Sequence, residues 1–218
     1  MLTLHYITDS RSHRLVWMLE ELGVDYRVQV HPRGSDQLAP ASIKALHPVG
    51  KAPLLEESDG QIFAESGHIA QHLAERYGSH LIPEGEQARL DYRYWMHFAE
   101  GSLAPPLVAT FLFGVVEERT PRLLRPLVLA APRLLEKAYY NKTIAALLSF
   151  VDEHLAGRDF FVGDGLSTVD IMMSFPLEAA SARLEGYSNI QRWVGEMQAR
   201  PAYKKALDAA GVPYRLGG

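Results

Sequence analysis

The hydroxyl side chains of Tyr6, Ser10 and Ser12 sit close together where an alternating strand pattern gives way to a helical one. A hydroxyl in such a turn has two uses. It can cap the helix by accepting a first-turn N–H, or it can donate toward an anion held at the positive end of the helix dipole. Further along, Lys51 offers a cation within His47-Pro48-Val49-Gly50-Lys51-Ala52-Pro53. Glu65 and Ser66 set a carboxylate and a hydroxyl at the start of another predicted helix, where Ser66 can cap the helix or hold a carboxylate. His68 and His72 have the i,i+4 spacing of two metal ligands. Glu65 precedes the pair rather than lying within it, so both read as surface or interface histidines and no metal is expected.

These groups must be positioned by a fold, and composition bounds which one. The chain has 218 residues, 47% hydrophobic and 22% charged, enough for one large or two small cores. A net charge of −4, with no basic run longer than the pair Lys204-Lys205, gives nucleic acid no foothold. With no cysteine, disulfides, thiolate zinc sites and a protein thiol nucleophile are all excluded. The N-terminus lacks a basic stretch followed by an apolar core, so a cytoplasmic protein is expected. The uncharged run from Ser102 to Val116 is too short to cross a bilayer, and Pro105-Pro106 interrupt it. A buried helix or pocket wall is expected there, and no membrane partner.

The pattern divides the chain in two. Alternation over Leu2, Leu4 and Tyr6 predicts a strand, and Leu15, Met18, Leu19 and Leu22 a helix that stops at Gly23. A strand over Tyr26–Val30, a short helix over Ala41–Leu46, a hairpin through Ser58-Asp59-Gly60 and a helix over Ser66–Tyr77 follow. The order is βαβαββα, a sheet with helical cover, over residues 1–80. Turn residues fill 81–86, the expected linker, and the remainder, 87–218, reads as an all-helical bundle. Pro121, Pro126 and Pro132 leave its middle without a clear helical assignment. Ser167 and Asp170 have capping-box spacing, with Leu166 and Ile171 as a hydrophobic staple.

The turn from Tyr6 to Arg14, the segment His47–Pro53, the pair Glu65-Ser66 and the stretch Gly163–Ile171 together resemble glutathione transferases, over nearly the whole chain. His47 replaces the family's usual asparagine and Ala52 its usual valine. The resemblance implies a thioredoxin-like domain that binds glutathione, followed by a helical domain that shapes the pocket for a small hydrophobic electrophile. It implies glutathione as co-substrate, a homodimer, and detoxification by attack of the thiolate on electrophilic or peroxide substrates.

Carried over residue by residue, the resemblance makes Ser10 the hydroxyl that stabilises the thiolate, with Tyr6 as rival. A free thiol has a pKa of about 8.5, so such help is needed at neutral pH. Tyr6 shares the face of Leu2 and Leu4, which also fits a core tyrosine. Pro53 resembles a cis-proline that presents the backbone of Ala52 to the tripeptide. Lys51 would take the glycyl carboxylate, Ser66 the γ-glutamyl carboxylate and Glu65 the ammonium, while Arg14 braces the turn. Tyr94, His97, Phe98, Ser102, Phe111 and Tyr214 are candidates for the second pocket. The competing reading is a non-catalytic member that serves as a binding or interaction module.

Overall fold

The computed structural model describes residues 1–33 and 39–211. The elements run β1 (Leu2–Tyr6), α1 (Ser12–Leu22), β2 (Tyr26–Val30), α2 (Ala41–Leu46), β3 (Leu54–Glu56), β4 (Ile62–Ala64) and α3 (Ser66–Tyr77). This is the βαβαββα order that the sequence pattern predicts. The sheet is ordered β2-β1-β3-β4, with β1 parallel to β2 and the other pairings antiparallel, a thioredoxin-like arrangement.

Strand alternation explains how β1 serves two cores. Leu2, Leu4 and Tyr6 enter the main core with α1 and α3, while Ile7 joins Ile43 and Leu54 in a smaller core. His5 is buried and forms a polar chain with Glu56 (3.2 Å) and His31 (3.0 Å), which ends at Ser42 (2.8 Å). Helix α1 ends where expected, because Gly23 takes the left-handed conformation (φ 62°) that glycine adopts without steric cost.

Beyond a 3₁₀ turn at Ser79–Leu81 the chain is helical. It comprises α4 (Glu86–Phe98), α5 (Ala104–Arg119), α6 (Arg125–Val128), α7 (Ala130–Leu135), α8 (Asn141–His154), α9 (Thr168–Ala179), α10 (Ser188–Ala199) and α11 (Pro201–Ala209). The proline-rich middle is resolved into a 3₁₀ turn at Arg122–Leu124 followed by α6 and α7, with Pro126 in the first turn of α6. There a missing N–H costs nothing.

Helix α9 lies at the centre, buried on nearly every face. Its capping box forms as predicted: Asp170 accepts the Ser167 N–H (2.9 Å) and hydroxyl (2.8 Å), and also the Phe161 N–H (2.9 Å). Helix α11 packs back on α1, with the Tyr203 ring against Trp17 and His13 and Arg200 paired to Glu21 at 2.6 Å. One apolar core therefore runs from Leu2 to Ala210 through both halves.

One expectation fails. Most of the apolar run Ser102–Val116 is not buried. It continues α4 into a single helix from Glu86 to Arg119, and of α5 only Ala104, Pro106 and Leu107 are buried. A π-helical turn at Ala99–Leu103 explains why Pro105-Pro106 do not break it. The prolines sit in the first turn after the widened segment, where the regular ladder is already interrupted.

Candidate active site

The left-handed Asp9 (φ 49°) turns the chain from β1 into α1 and brings Ser10 to the helix start. Ser10 Oγ donates to the Ile7 carbonyl at 2.6 Å and accepts the Ser12 N–H at 3.2 Å. Its other neighbour is Ser12 Oγ, 2.8 Å away and fully buried. Ser10 thus closes the turn that leads into α1, whose N-cap residue Arg11 makes no side-chain cap bond. Its hydrogen points at Ile7, so it must rotate to reach a ligand. The Ser10–Ser12 coupling has no signature in sequence beyond the S-x-S spacing.

Tyr6 lies beneath this turn, fully buried in the main core. Its hydroxyl has no hydrogen-bond partner among the described residues. Burial, reinforced by the negative charge of Asp9, pushes its pKa up to about 12. The core-tyrosine alternative matches this placement. His13, on α1, is also buried, and burial pulls its pKa down to about 4.

A cavity of about 200 Å³ opens beside the turn. Lys51, Ala52, Pro53, Glu65 and Ser66 line it, together with Arg11, His47 and Glu100. Five of the six candidate binding residues therefore meet in one space; Ser10 and its rival Tyr6 are not in its wall, although Ser10's neighbour Arg11 is. Gly50 folds the approach segment with a left-handed φ of 62° and an N–H bond to the His47 carbonyl (2.9 Å). The Ala52–Pro53 peptide bond is cis. Glu65 has a φ of 68°, a region that non-glycine residues avoid at a cost of about 1–3 kcal/mol and that clusters at ligand sites.

Arg14 organises the far wall. Its guanidinium is 1% exposed and donates to Ser66 Oγ (2.5 Å), Glu100 Oε1 (2.5 Å) and the Met172 carbonyl (2.8 Å). Arg11 Nε reaches the other Glu100 oxygen at 3.0 Å, and both guanidiniums lie 5.6 Å from the Phe175 ring centroid. Burial opposes ionisation of Glu100, but Arg14 and Arg11 outweigh it and hold the carboxyl below the usual range. Arg14 does more than brace the turn, since it ties α1 to α3, to the π-helical turn and to α9. Sequence reasoning missed Arg11 and Glu100. The available signal was Glu100 itself, the one formal charge between Trp95 and Val116.

His68 and His72 do not face each other over a shared ligand site. His72 bonds Glu57 at 2.9 Å and stacks on Phe63, while His68 contacts the Ala64 carbonyl at 3.1 Å. Among the described residues no group of three or more metal-ligating side chains is present. Tyr94, His97, Phe98 and Ser102 surround a separate hollow of about 430 Å³ on α4. Phe111 stands apart on α5, and Tyr214 lies outside the described residues.

Comparison with known proteins gives a consistent picture. Residues 10–76 match the family model for the glutathione S-transferase N-terminal domain, and residues 119–201 that for the C-terminal domain. The chain is 36% identical over 213 residues to glutathione S-transferase 3 of Schizosaccharomyces pombe, covering 95% of this chain and 87% of the relative. Among solved structures, a glutathione S-transferase from Actinobacillus pleuropneumoniae superposes with a TM-score of 0.80 at 32% identity, covering 99% of this chain and 95% of the other. A Pseudomonas putida glutathione transferase with glutathione disulfide bound shares the fold at 23% identity and TM-score 0.76, over 95% and 90% of the two chains.

Proposed function

The chain belongs to the glutathione S-transferase family, and from that premise we propose that the cavity between Lys51 and Glu100 binds glutathione and presents its thiolate to an electrophile. The observation that carries this reading is the charge pattern of the wall. Lys51 and Glu65, neither in an ion pair among the described residues, line one small space with Ser66 and the Arg11–Glu100 pair, which suits a ligand with two carboxylates and one ammonium.

In this reading each residue that the family resemblance singles out has one role. Lys51 takes the glycyl carboxylate. The Ala52 backbone pairs with the cysteinyl segment as a short added strand. Ser66 already accepts a hydrogen bond from Arg14, so its own O–H is left to donate, and the γ-glutamyl carboxylate accepts that bond. Glu65 takes the ammonium. Ser10 rotates from the Ile7 carbonyl toward the sulfur and stabilises the thiolate with the dipole of α1. The thiolate attacks an electrophilic carbon, a carbon–sulfur bond forms, and the leaving group departs with its electron pair. Toward a peroxide, the same thiolate attacks one oxygen, the O–O bond breaks and the other oxygen leaves as an alcohol or water; a second glutathione then displaces water from the sulfenic acid to give the disulfide, as this chain holds no thiol of its own.

The proposal extends to a cytoplasmic homodimer acting in detoxification, with α3 and α4 at the interface and a hydrophobic electrophile beside α4. Residues 1–80 form the glutathione-binding domain, 81–86 the linker and 87–218 the helical domain. A thermal-shift titration with glutathione, paired with turnover of a simple aryl halide, tests the core of it. Stabilisation with turnover supports the enzyme. Stabilisation without turnover would favour the binding-module alternative, and no stabilisation would sink both glutathione roles.

A further inference from the structure

The sheet face opposite the main core carries a chain of hydrogen bonds that the proposed chemistry does not use. His5 on β1 and His31, just past β2, are both buried, with His5 Nδ1 and His31 Nε2 3.0 Å apart. The far nitrogen of His5 meets Glu56 on β3 at 3.2 Å, and that of His31 meets the Ser42 hydroxyl on α2 at 2.8 Å. Four side chains thus tie the sheet to α2.

That tie matters because α2 offers little apolar area. Ile43 is its buried residue, packed with Ile7 and Leu54 in the smaller core. From α2 the chain runs straight into the cavity wall. The His47 N–H donates to the Ile43 carbonyl (3.1 Å) and the Gly50 N–H to the His47 carbonyl, while the Lys44 stem lies against Gly50, one residue before Lys51.

The chain of bonds limits how many protons the pair can hold. With both rings neutral, Ser42 donates to His31, His31 to His5 and His5 to Glu56. One added proton also fits, since His5 can donate to Glu56 and His31 at once while His31 donates to Ser42. A second proton sets N–H against N–H across 3.0 Å and brings two positive charges together away from water. Burial, and then the charge of His5, lower the His31 pKa. The neighbouring elements bring Arg27 on β2, bonded to Thr3 at 2.8 Å, Arg33 beyond His31 and Lys44 on α2, and Glu56 is the carboxylate that the pair touches among the described residues.

We propose that His5 and His31 position α2, and with it Lys51 and Ala52, for glutathione, and that a second proton on the pair parts the rings and loosens the glycyl end of the site. Both are positioning residues, acting through α2 without touching the ligand. This role presupposes the glutathione reading of the cavity. Its sign is fixed. A histidine whose pKa is lower when α2 is docked leaves docking intact above about pH 6.5 and undermines it as the pH falls below that value.

The test is calorimetric titration of the full chain with S-methylglutathione, which has no thiol to ionise, between about pH 7.5 and 5.5. The wild-type Kd should rise at least about tenfold toward the acid end, and that of His31→Gln by less than about threefold. His47→Gln should keep the wild-type pH dependence, which separates the pair from the histidine in the cavity wall. Hydrogen exchange, corrected for its intrinsic pH dependence, should show α2 losing protection over the same range while β1 keeps it. Should His31→Gln fail to fold, Ser42→Ala, which cuts the last link to α2, must bind more weakly at neutral pH and respond less to acid. A wild-type Kd independent of pH, an undiminished response in His31→Gln, or a response lost in His47→Gln would overturn the proposal. Absence of binding at every pH would instead sink the glutathione reading, and retained protection of α2 in acid would then overturn the switch by itself.

Discussion

Arg14 donates Nη2 to Ser66 Oγ at 2.5 Å, joining the first helix of the sheet domain to the N-terminus of the third. The bond fixes which way the serine hydroxyl can act, because an oxygen that accepts from a guanidinium keeps its own proton for another acceptor. The same nitrogen is anchored on Glu100, so the serine is oriented by a network that reaches into the helical half.

Ser66→Ala removes that donor and leaves Arg14 bonded to Glu100 and Met172. The KM for glutathione should rise about 10- to 100-fold with kcat little changed, the worth of one hydrogen bond to a charged group. Arg14→Lys keeps the charge but loses the fork, and should lower stability by about 3 kcal/mol in a denaturant titration. Steady-state kinetics over glutathione concentration separate the two variants.

Tyr6→Phe deletes a buried hydroxyl that has no hydrogen-bond partner among the described residues. Stability should be unchanged or rise by up to about 1 kcal/mol, and turnover should be retained. A large loss of kcat in this variant would return Tyr6 to the catalytic role.

Acid should destabilise the fold through His13. Its folded pKa of about 4 lies below the ordinary histidine value of 6.5, so between these the unfolded chain binds a proton that the folded one does not. Stability is therefore full above about pH 6.5 and declines as pH falls toward 4, by up to about 3 kcal/mol from this one group. His13→Phe should flatten the slope of stability against pH in that window. Some slope should persist, because burial also lowers the pKa of His31 and His154.

Asp170→Ala should cost about 3 kcal/mol or more, since it orphans the Ser167 and Phe161 amides at the head of the most buried helix. Asp170→Asn keeps an acceptor and should lose less. Turnover per folded molecule should stay near wild type in both, which chemical denaturation combined with kinetics would show.

Much of this was legible in the residues. Alternation in Leu2-Thr3-Leu4-His5-Tyr6 and the stop at Gly23 placed β1 and α1, and Ser167-x-x-Asp170 placed α9, because these signals are local. The cavity lining from Lys51 to Pro53 and at Glu65-Ser66 was found through the family resemblance, which those short motifs carry. What escaped was long-range. Arg14, Glu100 and Met172 meet across more than half the chain, and no spacing rule reports that. The exposure of α5 escaped because an apolar run reads as buried until its neighbours are known, and Pro105-Pro106 read as a break until the π-helical turn before them was seen.

Whether Ser10 makes bound glutathione ionise decides the proposed chemistry. The direct measurement is the ultraviolet absorbance of the thiolate, titrated against pH, for glutathione bound to the wild type and to Ser10→Ala. The wild type should ionise its ligand about two pH units below the free thiol value of about 8.5, and Ser10→Ala should return most of that difference with glutathione still bound. A wild-type titration matching free glutathione, or a Ser10→Ala protein whose bound thiol ionises as the wild type's does, would contradict it.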